Sequence, residues 1–88
     1  MKRIIFSKNA WEEYLSWQND DRRMLKKINA LIKDIQSTPY VGIGKPESLK
    51  IDLHGLWSRR IDREHRLVYQ VEGNDLIIYS CRYHYDKK

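Results

Sequence analysis

Between Asp21 and Pro39 the apolar residues Met24, Ile28, Leu31 and Ile35, with Leu25 and Ile32 beside them, fall on one face of a helix. After Pro39 that period does not return. The opposite face carries Arg22, Arg23, Lys26, Lys27 and Lys33. An amphipathic helix of this kind must bury its stripe against something, and the rest of the chain says what. Leu56-Trp57-Ser58-Arg59-Arg60-Ile61, Leu67-Val68-Tyr69-Gln70-Val71 and Leu76 to Tyr85 read as strands, the last two joined by the tight turn Glu72-Gly73-Asn74-Asp75. Upstream, Met1 to Phe6 reads as a short first strand. Ser7 is placed to cap a first helix holding Ala10, Trp11, Tyr14 and Trp17. Asn19, Asp20 and Asp21 break that helix and cap the next. Ser37-Thr38-Pro39 ends the second helix, and Val41 to Glu47, punctuated by Gly and Pro, reads as a loop. Two helices followed by a meander of strands give an α+β fold, with the helices packed on one face of an antiparallel sheet.

Eighty-eight residues make one domain with one modest core, 1–88, whose last residues, Asp86-Lys87-Lys88, are expected to fray. Seventeen Lys and Arg against twelve Asp and Glu give a net charge of +5, which favours a polyanionic partner such as nucleic acid. The charge is spread: residues 1–44 carry eight cations and five anions, and residues 45–88 carry nine and seven. Any basic site must therefore be assembled by folding. Cys81 is the only cysteine, so no intrachain disulfide can form, and a reducing cytoplasm is the natural setting. The apolar run after Lys2-Arg3 is too short for an export signal or a membrane span.

Several kinds of chemistry lack their residues. The chain has no P-loop glycine pattern, no His-Glu-x-x-His and no Cys/His ligand cluster. Asp52, Asp62 and Glu64 are spaced along strand-like sequence and do not suggest a metal site; neither metal nor cofactor is expected. What remains is an inventory suited to cutting RNA without a metal: Glu47 and Lys50; Arg59, Arg60, Glu64, His65 and Arg66; and Arg82, His84 and Tyr85. RNA carries its own nucleophile, the ribose 2′-OH. A carboxylate can take its proton, an imidazole can protonate the departing oxygen, and arginines can hold the phosphate. Strand alternation puts Arg82 and His84 on one face. Each residue also has a plainer reading. Glu47 follows Pro46 in a loop and suits a solvated carboxylate. His84 lies near a chain end, Arg66 can pair with Glu64, and the basic face of helix two suits a solvated surface. Trp17, Trp57, Tyr69 and Tyr79 are expected in the core. Residue types alone do not separate RNA cleavage from plain RNA binding.

Four segments in order narrow the choice. Gly44-Lys45-Pro46-Glu47-Ser48-Leu49-Lys50, Leu56-Trp57-Ser58-Arg59-Arg60-Ile61, Glu64-His65-Arg66-Leu67-Val68-Tyr69 and Cys81-Arg82-Tyr83-His84-Tyr85 resemble the YoeB toxins of the RelE group. Trp11, Tyr14 and Trp17 resemble that family too, as do Lys26-Lys27-Ile28-Asn29 and Leu31-Ile32-Lys33-Asp34. The resemblance implies a compact microbial-ribonuclease-like fold and metal-independent cleavage of mRNA in the ribosomal A site, inhibiting translation. It also implies roles: Glu47 as general base, His84 as general acid, Arg66 stabilising the phosphorane and Tyr85 orienting substrate, with Lys50, Arg60 and Glu64 completing the substrate pocket; Arg82, from the residue inventory, is a further candidate for substrate binding. The implied partners are the 70S ribosome, a YefM-type antitoxin, a second copy of the chain, and operator DNA through the antitoxin complex. Family chains commonly stop at the residue matching Tyr85, whereas here Asp86-Lys87-Lys88 follow. The alternative is a toxin of the same fold group, like ParE, that acts by binding DNA gyrase, or a ribosome-binding module that cuts nothing.

Overall fold

The computed structural model describes residues 2–49 and 55–83. Lys50, Asp52, His84, Tyr85 and the Asp86-Lys87-Lys88 tail lie outside the described residues. The chain runs β1 (Arg3–Phe6), α1 (Lys8–Asp20), α2 (Arg22–Ser37), β2 (Glu47–Ser48), β3 (Trp57–Arg60), β4 (Arg66–Glu72) and β5 (Asp75–Ser80). Both helices start as their short polar residues dictate. The Ser7 hydroxyl accepts from the Ala10 amide at 3.0 Å, and the Asp21 carboxylate accepts from the Arg23 amide at 3.0 Å. Asp21 thus separates two helices with almost no connecting chain. The second ends at Ser37, before Thr38-Pro39.

The strands form one sheet in the order β1-β5-β4-β3-β2. β2, β3, β4 and β5 pair antiparallel, as expected, but β1 lies parallel to β5, so the sheet is mixed. β2 begins at Glu47, the last residue of the stretch that reads as a loop, and it has only two residues. The register across β3 and β4 sorts the side chains. Trp57 sits opposite Tyr69 and Arg59 opposite Leu67; Ser58 sits opposite Val68 and Arg60 opposite Arg66. Successive side chains alternate, so Trp57, Arg59, Leu67 and Tyr69 share one face while Ser58, Arg60, Arg66 and Val68 share the other.

The helices cover the first face. Ile28, Leu31 and Ile35 of α2, Ala10 and Trp17 of α1, and Leu67, Tyr69, Leu76 and Ile78 of the sheet form one buried cluster. Trp57 is half-buried against the Tyr40 ring at 4.7 Å, and Tyr79, expected in the core, is exposed. Cys81 is fully buried beside Ala10, and burial, reinforced by Glu13, pushes its thiol up to about 12. No described helix is long and apolar enough to cross a membrane.

Among the described residues, one arginine lies inside this core. Arg59 has no exposed surface. Its guanidinium donates to Asp34 at 2.6 Å, to the carbonyls of Ile43, Thr38 and Val41 at 3.0, 2.6 and 3.0 Å, and to the Tyr69 hydroxyl at 3.2 Å. Tyr69 in turn donates to the Pro39 carbonyl at 2.7 Å. The segment from Thr38 to Gly44 has no regular structure, and its inward carbonyls need donors. One arginine supplies most of them. Gly42 must be glycine for this to fit: its φ is +128°, and a Cβ there would stand 2.1 Å from an Asp34 carboxylate oxygen.

Candidate active site

The loop held by Arg59 delivers Glu47 to the sheet. The Arg60 amide donates to the Gly44 carbonyl at 2.7 Å, and three residues later Glu47 pairs with Ser58 across β2 and β3. Because paired residues share a face, Glu47, Ser58 and Val68 form a row across three strands on the side away from the helices. Arg66 is the diagonal neighbour of Ser58, two residues before Val68. A side chain of its length reaches across that diagonal. Its Nε donates to the Ser58 hydroxyl at 3.2 Å, and its Nη2 donates to Glu47 Oε1 at 2.8 Å. Residues 47 and 66, in strands that do not touch, thereby meet over the buried Ser58.

The pair differs in exposure. The Glu47 side chain is 62% exposed and that of Arg66 only 17%. The carboxylate is thus open to an incoming group, while the guanidinium is held from beneath. Arg66 has five N–H donors; among the described residues two are engaged, and Nη1 has no partner. A phosphodiester can therefore be met by a fixed cation beside an exposed carboxylate that the same guanidinium pairs. Arg60, opposite Arg66 in the register, is exposed and adds a second cation at the end of β3.

Of the remaining expected residues, Glu64 and Arg82 are engaged by neighbouring side chains, and the others lie outside the described residues. Glu64 lies in the turn before β4, with its carboxylate 3.6 Å from His65 Nε2 rather than on Arg66. Arg82 is not on the face of Glu47 and Arg66. The strand expected to run through Tyr85 ends at Ser80, and Tyr83 has a φ of +68°. The Arg82 guanidinium instead lies 4.0 Å over the Trp17 ring, donates to Ser16 at 2.5 Å and pairs with Asp20 at 2.8 Å. Its charge is used to dock α1. His84, Tyr85 and Lys50 lie outside the described residues. Ser58 was not among the expected site residues. The signal available was a small polar residue at an alternating position between Trp57 and Arg59. Among the described residues no group of three His, Cys, Asp or Glu side chains is placed to hold a metal ion.

Comparisons with known proteins place the chain in a family. The family model described as the YoeB-like toxin of bacterial type II toxin-antitoxin systems matches residues 6–85. The chain is 57% identical over 83 residues to Toxin YoeB of Escherichia coli (strain K12), covering 94% of this chain and 99% of that one. Among solved structures it is similar to the YoeB dimer from Staphylococcus aureus, with a TM-score of 0.90 and 52% identity over 96% of this chain and 98% of that one. It is similar also to YoeB in the YoeB–YefM complex from the same organism, with a TM-score of 0.87 and 50% identity over 97% and 99% of the two chains. The chain belongs to the YoeB-like family of type II toxin–antitoxin toxins.

Proposed function

We propose that this toxin is a metal-independent endoribonuclease that cleaves mRNA in the A site of the translating ribosome. The observation that carries the reading is the exposed Glu47 carboxylate held 2.8 Å from a guanidinium fixed by Ser58. In the proposed reaction Glu47 removes the proton of a ribose 2′-OH. The 2′-oxygen attacks the adjacent phosphorus, forming the P–O2′ bond. Arg66 stabilises the charge that builds on the non-bridging oxygens. The P–O5′ bond breaks and His84 protonates the leaving oxygen. The products are a 2′,3′-cyclic phosphate, open to hydrolysis to a 3′-phosphate, and a 5′-hydroxyl. Tyr85 orients the substrate, and Lys50, Arg60 and Glu64 border it.

Primer extension on a defined mRNA, with the toxin added to a translation extract or to naked RNA, tests the reading. New ends are expected at ribosome-bound codons and depend on ribosomes. A chain of this size has little surface with which to position a flexible strand, and the ribosome supplies that orientation. Growth arrest without new RNA ends would instead assign the toxin to a binding mode of action.

The proposed partners follow from the same site. One Staphylococcus aureus relative is described as a dimer and another as a complex with YefM, and a homodimer and a YefM-type antitoxin are proposed here. With a net charge of +5 and the cations Arg60 and Arg66 at the open site, an acidic segment that folds on binding is the fitting inhibitor. Co-expression of the neighbouring antitoxin gene should abolish toxicity, and the purified complex should leave mRNA uncut. A complex that cuts at the rate of free toxin would rule out masking of the site.

A further inference from the structure

We propose that His65 is a positioning residue for the general acid: its ring clamps the backbone of Tyr83 and so fixes where the chain enters residue 84. The inference rests on the assignment of His84 above. His65 is 7% exposed, its ring edge-on to Trp17 at 4.8 Å and tilted against Tyr83 at 5.4 Å. Its Nδ1 accepts a hydrogen bond from the Tyr83 amide at 2.7 Å. The proton of the neutral ring therefore sits on Nε2, which faces Glu64 Oε1 at 3.6 Å. The next residue closes the clamp, because the Arg66 amide donates to the Tyr83 carbonyl at 3.1 Å. Tyr83 is held at both its N–H and its C=O by two consecutive residues, in a left-handed conformation that a non-glycine residue adopts only when its surroundings impose it.

The clamp is itself anchored. The His65 carbonyl accepts from the Ile61 and Asp62 amides at 2.8 and 3.3 Å, and the Asp62 carboxylate accepts from the His65 amide at 2.7 Å. Two residues earlier on the other segment, Trp17 Nε1 donates to the Cys81 carbonyl at 3.0 Å, and the Cys81 amide donates to Glu13 at 2.7 Å. The peptide that leaves Tyr83 is planar, so holding the Tyr83 carbonyl also orients that peptide. His65 and Arg66 are adjacent. One dipeptide thus registers the acid-bearing segment against the guanidinium that meets the phosphate.

The test compares His65→Phe, His65→Asn and His84→Gln on two ribosome-bound mRNAs. One has the natural 5′-oxygen at the scissile phosphate and the other a bridging 5′-sulfur, whose thiolate leaves without being protonated. Phe keeps a ring against Trp17 but offers no acceptor; Asn can place its amide oxygen near the Nδ1 position. On the natural substrate His65→Phe should lower the single-turnover rate at saturating ribosomes by about 10²-fold, the order of loss that a 1 Å misplacement produces. Half-saturation should not move, and His65→Asn should recover most of the rate. On the sulfur substrate His65→Phe and His84→Gln should both approach the wild-type rate. If the His84→Gln defect disappears with sulfur and that of His65→Phe persists, His65 does not act through the acid and the proposal fails alone. If the His84→Gln defect also persists, the general-acid assignment fails and takes this proposal with it. A wild-type rate for His65→Phe on the natural substrate overturns the clamp directly. Should His65→Phe not fold, His65→Gln, whose amide reaches the Nε2 position instead, replaces it.

Discussion

Arg59→Met is expected to destabilise the protein by about 3–5 kcal/mol, the range found when one partner of a buried ion pair is removed. A domain of this size has about 5–15 kcal/mol in all, so the variant should lie close to unfolding. The loss is large because Arg59 serves five acceptors at once: Asp34, the Tyr69 hydroxyl and the carbonyls of Thr38, Val41 and Ile43. A thioether fills the space and satisfies none of them. Arg59→Lys keeps the charge but not the planar fork and should fall between. Urea unfolding followed by tryptophan fluorescence measures both. An Arg59→Met midpoint near that of the wild type would mean that the loop carbonyls find other donors.

The same cluster gives the protein an acid-sensitive component. The hydrogen bond from Arg59, joined by that from the Ile43 amide, holds the Asp34 carboxyl below its usual value of 3.8. A carboxyl depressed by folding stabilises the native state above its unfolded value, and that contribution is lost as pH falls through the folded one. The window therefore lies below about pH 4. Asp34→Asn should flatten the decline of the urea midpoint there without abolishing it, since Asp21, Asp62 and Asp75 are also held below 3.8.

Arg59 also shows where a sequence stops being readable. The stripe of α2 and the caps Ser7 and Asp21 are local patterns, and each appears where its period or side-chain chemistry places it. In Ser58-Arg59-Arg60 alternation requires adjacent arginines to face opposite ways, but it does not say which one turns inward. That depends on the carbonyls of a loop some twenty residues away. β2 was illegible for a related reason: two residues become a strand only because β3 is beside them. The parallel pairing of β1 with β5 likewise joins the two ends of the chain, and nothing local encodes it. The alternation argument does not reach Arg82, because β5 ends before it, at Ser80. At the site, nothing local joins Glu47 to Arg66. Residue chemistry put both in one inventory and a family resemblance gave them roles, but their 2.8 Å contact follows from a diagonal reach across three strands.

Arg66→Ala should reduce single-turnover cleavage on ribosome-bound mRNA by about 10²–10³-fold, the usual effect of removing one fixed donor to a charge that develops in the transition state. Glu47→Gln and His84→Gln should each cost about 10²–10⁴-fold, since each removes one proton transfer. Arg66→Lys should rescue only part of the rate: an ammonium can pair with a phosphate oxygen but cannot also span Ser58 and Glu47. These losses should come with little change in stability. The Glu47 end of the ion pair is exposed, so the pair contributes about 0–1 kcal/mol, and the hydrogen bond from Arg66 to Ser58 adds about 0.5–1.5 kcal/mol, together well below the loss expected at Arg59. That separates Arg66 from Arg59: two arginines on neighbouring strands, one whose removal should silence a folded protein and one whose removal should unfold it. The Glu47→Gln/Arg66→Ala double variant should lose less than the product of the single losses, because groups that act on one transition state are not additive. Chemical-quench rates on pre-bound complexes measure all of these. Near-wild-type cleavage by Arg66→Ala, with folding and ribosome binding intact, would remove the guanidinium from the chemistry and leave its contact with Glu47 as surface pairing alone.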